Sequence, residues 1–271
     1  MTFDITASIV LYKNERELLS KTIQSYLDSK LRLKLYLIDN SPTDELKDII
    51  NDPRVEYIYN NNNVGFGAGH NVAIRKSIPE SSFHLVLNPD IYFDDHILGN
   101  ILEYMRKDEA IGVLMPKILN ADGSIQYVAK LLPTPFDFFV RRFLPFGPFR
   151  KISERFELRH TNYDQVMMAP FLSGCFMVFR TEALGQVGLF DEKIFMYTED
   201  IDITRRVLTR YKAIFYPKAF VYHDHTRKSF RNFKTLGVYL KSAIYYFNKW
   251  GWFFDSSRRE INKRTLSQFN G

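Results

Sequence analysis

Three carboxylates, Glu199, Asp200 and Asp202, fall within four residues of the segment Phe195-Met-Tyr-Thr-Glu-Asp-Ile-Asp202, directly after an aromatic run. Residues 201–211 read as a helix, with Val207 and Leu208 on one side and Arg205, Arg206 and Arg210 on the other. The acids therefore stand at a helix N-terminus, where the macrodipole favours negative charge. A carboxylate kept ionised there and turned into a cleft can act as a general base. Acids at helix starts are also ordinary capping residues, so this cluster alone leaves both readings open.

Asn88-Pro-Asp90 follows a short apolar run. A carboxylate there can hold a divalent cation against a diphosphate, because hard cations take oxygen ligands and keep phosphates as co-ligands. A plain proline turn with a capping Asp is the alternative. His223, in Val-Tyr-His-Asp-His225, offers an imidazole nitrogen to a metal. An exposed loop histidine is the alternative, and it suits His225 better. Arg227, Lys228 and Arg231 match phosphate oxygens, or a solvated surface. Asn63-Val-Gly65-Phe66-Gly67, with Gly69 and Asn71, makes a glycine-rich loop before a helix, where backbone amides can approach a phosphate. It matches neither the lysine-containing phosphate loop nor the dinucleotide fingerprint.

The elements that must position these residues alternate. Residues 5–12, 33–38, 55–59, 83–87 and 111–115 read as strands; residues 15–27, 43–50, 68–77 and 95–106 read as helices. Such alternation implies a mostly parallel sheet covered on both faces, with ligands at the carboxyl ends of its strands. Asp39-Asn40 and Asn88-Pro-Asp90 both fall at such ends. Beyond residue 117 the pattern changes. Residues 118–128 suggest a hairpin turning at Asp122-Gly123, residues 176–179, 213–216 and 220–222 short strands, and residues 233–250 an aromatic helix before a basic tail.

The 45% hydrophobic and 25% charged content of the 271 residues is that of an ordinary folded protein. The formal charge of +6 favours anionic partners. One cysteine, Cys175, excludes an internal disulfide framework and a cysteine metal cluster. The start of the chain lacks a signal-peptide pattern, and no apolar run reaches the roughly 20 residues of a spanning helix, so a soluble or peripheral protein is expected. Acids crowd the predicted cleft loops and would repel a polyanion, which argues against nucleic acid.

Taken in order, the pieces resemble a GT-A-type glycosyltransferase of family 2, in its bacterial rhamnosyltransferase-like branch, over about residues 5–225. They are Ser8-Ile-Val-Leu-Tyr-Lys-Asn14, Ile38-Asp-Asn-Ser41, Asn63-Val-Gly-Phe-Gly67 with Asn71, Leu87-Asn-Pro-Asp90, Phe171-Leu-Ser-Gly174, Val187-Gly-Leu-Phe-Asp-Glu192, Phe195 to Asp202, and Tyr216-Pro217 to His223. The resemblance implies the GT-A fold, α/β with a Rossmann-like, mostly parallel central sheet. Residues 1–117 would be its nucleotide-sugar half, 118–225 its acceptor and catalytic half, and 226–271 a helical, aromatic and basic extension.

It further implies inverting transfer from a nucleotide-sugar, dTDP-L-rhamnose before a UDP-hexose or UDP-galactofuranose. The acceptor would be a saccharide, free or on a polyprenyl diphosphate, with a Mg2+ or Mn2+ cofactor. Asp200, beside Glu199, would be the general base. Asp90 and His223 would hold the cation. The donor would lie along Tyr12, Asn14, Asp39, Asn40, Asn63, Gly65, Phe66, Gly67, Asn71, Asn88, Asp90, Arg227 and Lys228, with Asp39 on the base. Asn88 departs from the acid often found there, which leaves strict metal dependence open, and Lys13-Asn14 differs slightly from the usual pattern. A non-catalytic carbohydrate-binding relative is the other class of reading, opposed by the joint presence of Asp39, Asp90, Asp200 and His223. The aromatic and basic segments 131–149 and 233–252 suit a membrane interface on the cytoplasmic side, a homodimer contact, or sugar stacking.

Overall fold

Short apolar runs bounded by polar stops become the strands of one sheet. The computed structural model describes residues 1–138, 149–224 and 233–269. β1 (Ile5–Leu11), β2 (Leu33–Asp39) and β4 (Phe83–Leu87) are buried almost throughout, as strands covered by helices on both faces must be. The polar side chains of β1 and β4 are paired across the core, with help from His70 of the helix Phe66–Ser77. Thr6 Oγ1 meets His84 Nδ1 at 2.9 Å, and Ser8 Oγ meets His84 Nε2 at 2.8 Å and His70 Nδ1 at 2.7 Å. Burial pushes both imidazoles down, His84 to about 3, so they stay neutral inside the core.

The remaining sheet strands are β3 (Val55–Tyr59), β5 (Ile91–Tyr92), β6 (Ile111–Asn120), β8 (Met167–Met168), β10 (Phe176–Arg180) and β11 (Lys212–His223). The order is β3-β2-β1-β4-β10-β6-β11-β5, with β8 also on β11. β1 to β4, β6 and β11 point one way; β5, β8 and β10 oppose them. The sheet is thus mostly parallel, with β10 inserted in reverse between β4 and β6. β7 (Ala129–Lys130) and β9 (Phe171–Leu172) form a separate small ribbon. Helices α1 (Arg16–Leu27), α2 (Phe66–Ser77) and α3 (Ile97–Lys107) cover the sheet; α1 turns Leu19, Ile23, Tyr26 and Leu27 inward at helical spacing. Because β1 lies between β2 and β4, the chain reverses its direction of winding there, and loops at that switch diverge to leave a crevice.

Three expectations about elements change. Residues 43–50 form successive turns, with Lys47 N–H donating to Asp44 O and Ile49 N–H to Leu46 O; only Leu46 is buried there, too little apolar anchoring for a helix. The two strands expected either side of Pro217 are the single strand β11, whose register shift between Tyr216 and Phe220 absorbs the proline. The acid-rich helix, α6 (Glu199–Val207), starts two residues early and places the acids inside its first turn.

Arg205 is not on a solvated face but 2% exposed. Its guanidinium bonds both oxygens of Asp255, at 2.8 and 2.7 Å, and lies 4.2 Å from the Trp250 ring. The short helices α4 (Phe149–Phe156) and α5 (Thr181–Val187) precede α6. After it come α7 (Phe233–Trp250) and α8 (Ser256–Ser267), with Asp255 capping α8 through Arg258 N–H. The C-terminal helices are therefore bolted to α6 rather than appended to the fold. Arg205→Met leaves the Asp255 carboxylate buried without its partner and will lower the unfolding free energy by roughly 3–5 kcal/mol. Urea unfolding will show this, and adding Asp255→Asn will recover part of the loss.

Candidate active site

Two strand ends and one helix start open on a common cavity of about 810 Å³. The turn after β4 carries Asn88 and Asp90, β11 ends in His223, and α6 begins with Glu199 and Asp200. All five line the cavity. Backbone pairing fixes this convergence. Asn88 N–H donates to Cys175 O at 2.9 Å, so β10 delivers residues 173–175 beside β4. Ile91 pairs with His223, and Asp224 N–H donates to Asp90 O at 2.9 Å, so the β11 end is tied to the β4 loop.

His223 Nε2 lies 3.1 Å from Asp90 Oδ1. On its other side His223 Nδ1 contacts Gln126 Oε1 at 3.0 Å, which sets the ring orientation and makes Nδ1 the donor nitrogen. Burial opposes the charged imidazolium, but Asp90 and Cys175 outweigh it and push the His223 pKa up to about 10. With the Nε2 proton displaced, as a bound cation requires, one carboxylate oxygen and one imidazole nitrogen make a mixed oxygen–nitrogen donor pair. Among the described residues no group of three or more His, Cys, Asp or Glu could hold a metal ion. The pair therefore fits a cation that completes its shell with diphosphate oxygens and water, as Mg2+ does in nucleotide sites.

Glu199 and Asp200 behave differently. Burial raises both carboxyls, and the Asp200 charge raises Glu199 further. Asp200 is partly relieved: Gly174 N–H donates to Oδ2 at 3.0 Å, Ile201 N–H donates to Oδ1 at 2.8 Å, and the Lys130 ammonium lines the same cavity. Asp200 thus ionises before Glu199, which holds its proton to higher pH. Two acids whose surroundings separate their pKa values have separate acid–base roles.

The other residues divide. Asp39 is fully buried behind a second cavity of about 470 Å³, lined by Asn14, Lys13 and Ser41 among others. Its carboxylate accepts from Ser41 N–H at 2.8 Å and from Tyr57 OH at 2.6 Å. Tyr12 is half exposed, and its N–H donates to Asn14 Oδ1. Asn40 donates to Gly65 O and accepts from Asn60, bracing the glycine-rich loop. That loop uses its amides internally: Gly65 N–H donates to Asn63 Oδ1 and Phe66 N–H to Phe195 O. Gly65 has φ +91°, and a Cβ there would lie 2.4 Å from Phe195 O; one at Gly67 would lie 2.8 Å from Phe190 Cβ. Asn71 bonds the Phe190 backbone in both directions and Glu192. These glycines and Asn71 dock α2 against the chain leading to the acids, and only Phe66 of the loop reaches the main cavity. Arg227 and Lys228, with Arg231 and His225, lie outside the described residues.

Gln126, Lys130 and Cys175 were not signalled as site residues by the sequence, nor were Leu236 and Tyr239, which close the cavity from α7. A lone Lys in a two-residue strand carries no pattern. Gly174 stood in a motif, but its role as a backbone donor to Asp200 did not.

Against known families, the model of glycosyl transferase family 2 matches residues 8–188. The chain belongs to glycosyl transferase family 2. The match ends before the acid pair, so Glu199 and Asp200 rest on geometry. N-acetylglucosaminyl-diphospho-decaprenol L-rhamnosyltransferase of Mycobacterium tuberculosis is 26% identical over 74% of this chain and 69% of its own length. Rhamnosyltransferase WbbL of Escherichia coli K12 is 27% identical over 88% and 90%. Among solved structures, GalNAc-T7 with UDP, GalNAc and Mn2+ aligns with a TM-score of 0.64 at 17% identity, over 83% of this chain but only 44% of that one, and so shares the fold.

Because Glu199 ionises later folded than unfolded, the unfolded chain loses this proton first. Stability contributed at this site falls as pH rises from about 4 through the raised folded value. Glu199→Gln will flatten that decline and will be more stable than the parent at pH 8, but not at pH 4, in urea titrations.

Proposed function

We propose that this family 2 transferase moves a sugar by inverting, direct displacement from a nucleotide-sugar onto a saccharide, free or carried on a polyprenyl diphosphate, in bacterial cell-surface polysaccharide synthesis at the cytoplasmic side. dTDP-L-rhamnose is the first donor candidate, supported by the names of the two rhamnosyltransferase relatives. A UDP-hexose is the second, supported by the UDP in the similar GalNAc-T7 structure.

The observation that carries the proposal is the cavity that Asp90, His223 and Asp200 line together. A divalent cation, bound by Asp90 and His223, would neutralise charge on the departing nucleoside diphosphate. The Mn2+ in the GalNAc-T7 structure supports such a cation. Asn88 adds an uncharged oxygen at the same strand end. Asp39, with lone pairs left after Ser41 and Tyr57, anchors the base beside Tyr12 and Asn14. Asp200 takes the proton of the acceptor hydroxyl as that oxygen attacks the anomeric carbon. Gly174 and Ile201 N–H groups hold its two oxygens in place while burial keeps it basic enough to accept. Glu199, still protonated when Asp200 is charged, avoids a second buried negative charge.

Asp200→Asn will reduce kcat by roughly 10²- to 10⁴-fold while nucleotide-sugar binding persists. Loss of binding in isothermal titration would instead make Asp200 a donor-site residue. In a thermal-shift panel of dTDP-rhamnose, UDP-glucose, UDP-galactose, UDP-N-acetylglucosamine and GDP-mannose, one donor will raise the melting midpoint more with Mn2+ or Mg2+ than without. Asp90→Asn will remove the metal-dependent part. A shift of equal size with and without metal would refute the cation role.

A further inference from the structure

Helix α7 carries two different faces. Its inner face buries Ala243, Tyr246 and Phe247 against the core, and Leu236 and Tyr239 reach the cavity. Its outer face is apolar as well. Leu240 and Ile244 lie one and two turns beyond Leu236, and each step of four carries them further from the inner stripe toward solvent. They are 44% and 48% exposed. The turn after α7 adds Trp252, Phe253 and Phe254, the last two 70% and 90% exposed. A soluble face would not keep consecutive large aromatics in water without a use.

Charge selects the occupant. Lys241 stands next to Leu240, and the Arg259 guanidinium reaches the Phe253 carbonyl. Lys263 and Arg264 are exposed further along α8, and Glu260 is the one exposed acid among residues 235–269. Aromatic and aliphatic side chains flanked by cations fit the headgroup zone of an anionic bilayer, where rings enter the interface and basic groups meet phosphates. Among the described residues no helix is long and apolar enough to cross a membrane, so this contact lies on the surface.

We propose that Leu240, Ile244, Trp252, Phe253 and Phe254, with Lys241 and Arg259, form a docking face for an anionic lipid bilayer. The inference rests on the transferase reading in one respect: it supplies the reason for the location. Residues 236–250 span about 20 Å of helix between the cavity mouth and the aromatic turn. A bilayer held along this face would present a lipid-linked diphosphate acceptor at the cavity edge, with its chain still in the membrane.

The test is co-sedimentation of the full chain with vesicles of pure phosphatidylcholine and of phosphatidylcholine containing phosphatidylglycerol. Binding to the anionic vesicles is expected, weakened by high salt. Phe253→Ser with Phe254→Ser will reduce partitioning by more than about tenfold. Lys241→Glu with Arg259→Glu will reduce it selectively on anionic vesicles. Both positions are exposed, and melting curves with and without nucleotide-sugar will show that fold and donor site are intact. Failure to bind anionic vesicles, or equal binding by the aromatic variant, overturns the docking face. So does a parent dimer that the aromatic variant turns to monomer while vesicle binding is unchanged, since the face would then join two copies. Donor-induced melting shifts are read without vesicles, so failure of the transferase reading shows separately.

Discussion

The acid helix α6 is the part on which the rest depends. Its first turn must hold two carboxylates against a cavity while burial opposes their charge. A helix start left loose would turn them to water. Three anchors prevent that. The Arg205–Asp255 pair fixes the outer side of the helix to the start of α8. Asp202, fully buried, accepts from Arg206 and from Trp250 Nε1 and lies 2.8 Å from Lys249 Nζ, which joins the helix to the end of α7. Arg206 in turn donates to the carbonyls of Val187, Gly188 and Leu189. Of the three acids in the cluster, Asp202 is therefore a structural tie, and Glu199 and Asp200 are the two that line the cavity.

The same logic explains the glycine-rich segment. Gly65 and Gly67 let the start of α2 approach the chain at Phe190 and Phe195 more closely than any side chain permits. Asn71 adds hydrogen bonds across that seam. The segment before the acids is thus pinned by α2 and the segment after them by α7 and α8. The site is preorganised by packing on both sides, so its charges need little rearrangement when a ligand arrives.

Much of this was legible in the sequence. Strand ends at Asp39 and Asn88 could be read because buried parallel strands are short apolar runs with abrupt polar stops. The family resemblance then joined Asp90, Asp200 and His223, which the structure brings to one cavity. Other features were hidden because they depend on distant partners. Arg205 looked like a surface residue; only Asp255, fifty positions later, makes its burial tolerable. The bonds of Asn71 to the Phe190 backbone were hidden because that partner is far away in sequence. Lys130 and Gln126 come from a short ribbon and a turn whose placement is set by β9 and β11, with no periodicity of their own. The helix expected at 43–50 failed for the opposite reason: the local pattern was present, but of its residues only Leu46 is buried, with Ile49 and Ile50 half-buried.

The reversed strand β10 has a consequence for how the chain reaches this state. β4 pairs on one side with β1, which precedes it, and on the other with β10, which the ribosome makes only after β6 and the whole 131–175 stretch. Until then the edge of Phe83-His-Leu-Val-Leu87 has no neighbour, and four of its five side chains are apolar. Such an edge is a template for pairing with another chain. The topology that places Cys175 beside Asn88 therefore also sets a vulnerable interval in biosynthesis, when a partly made sheet must be kept from its own kind.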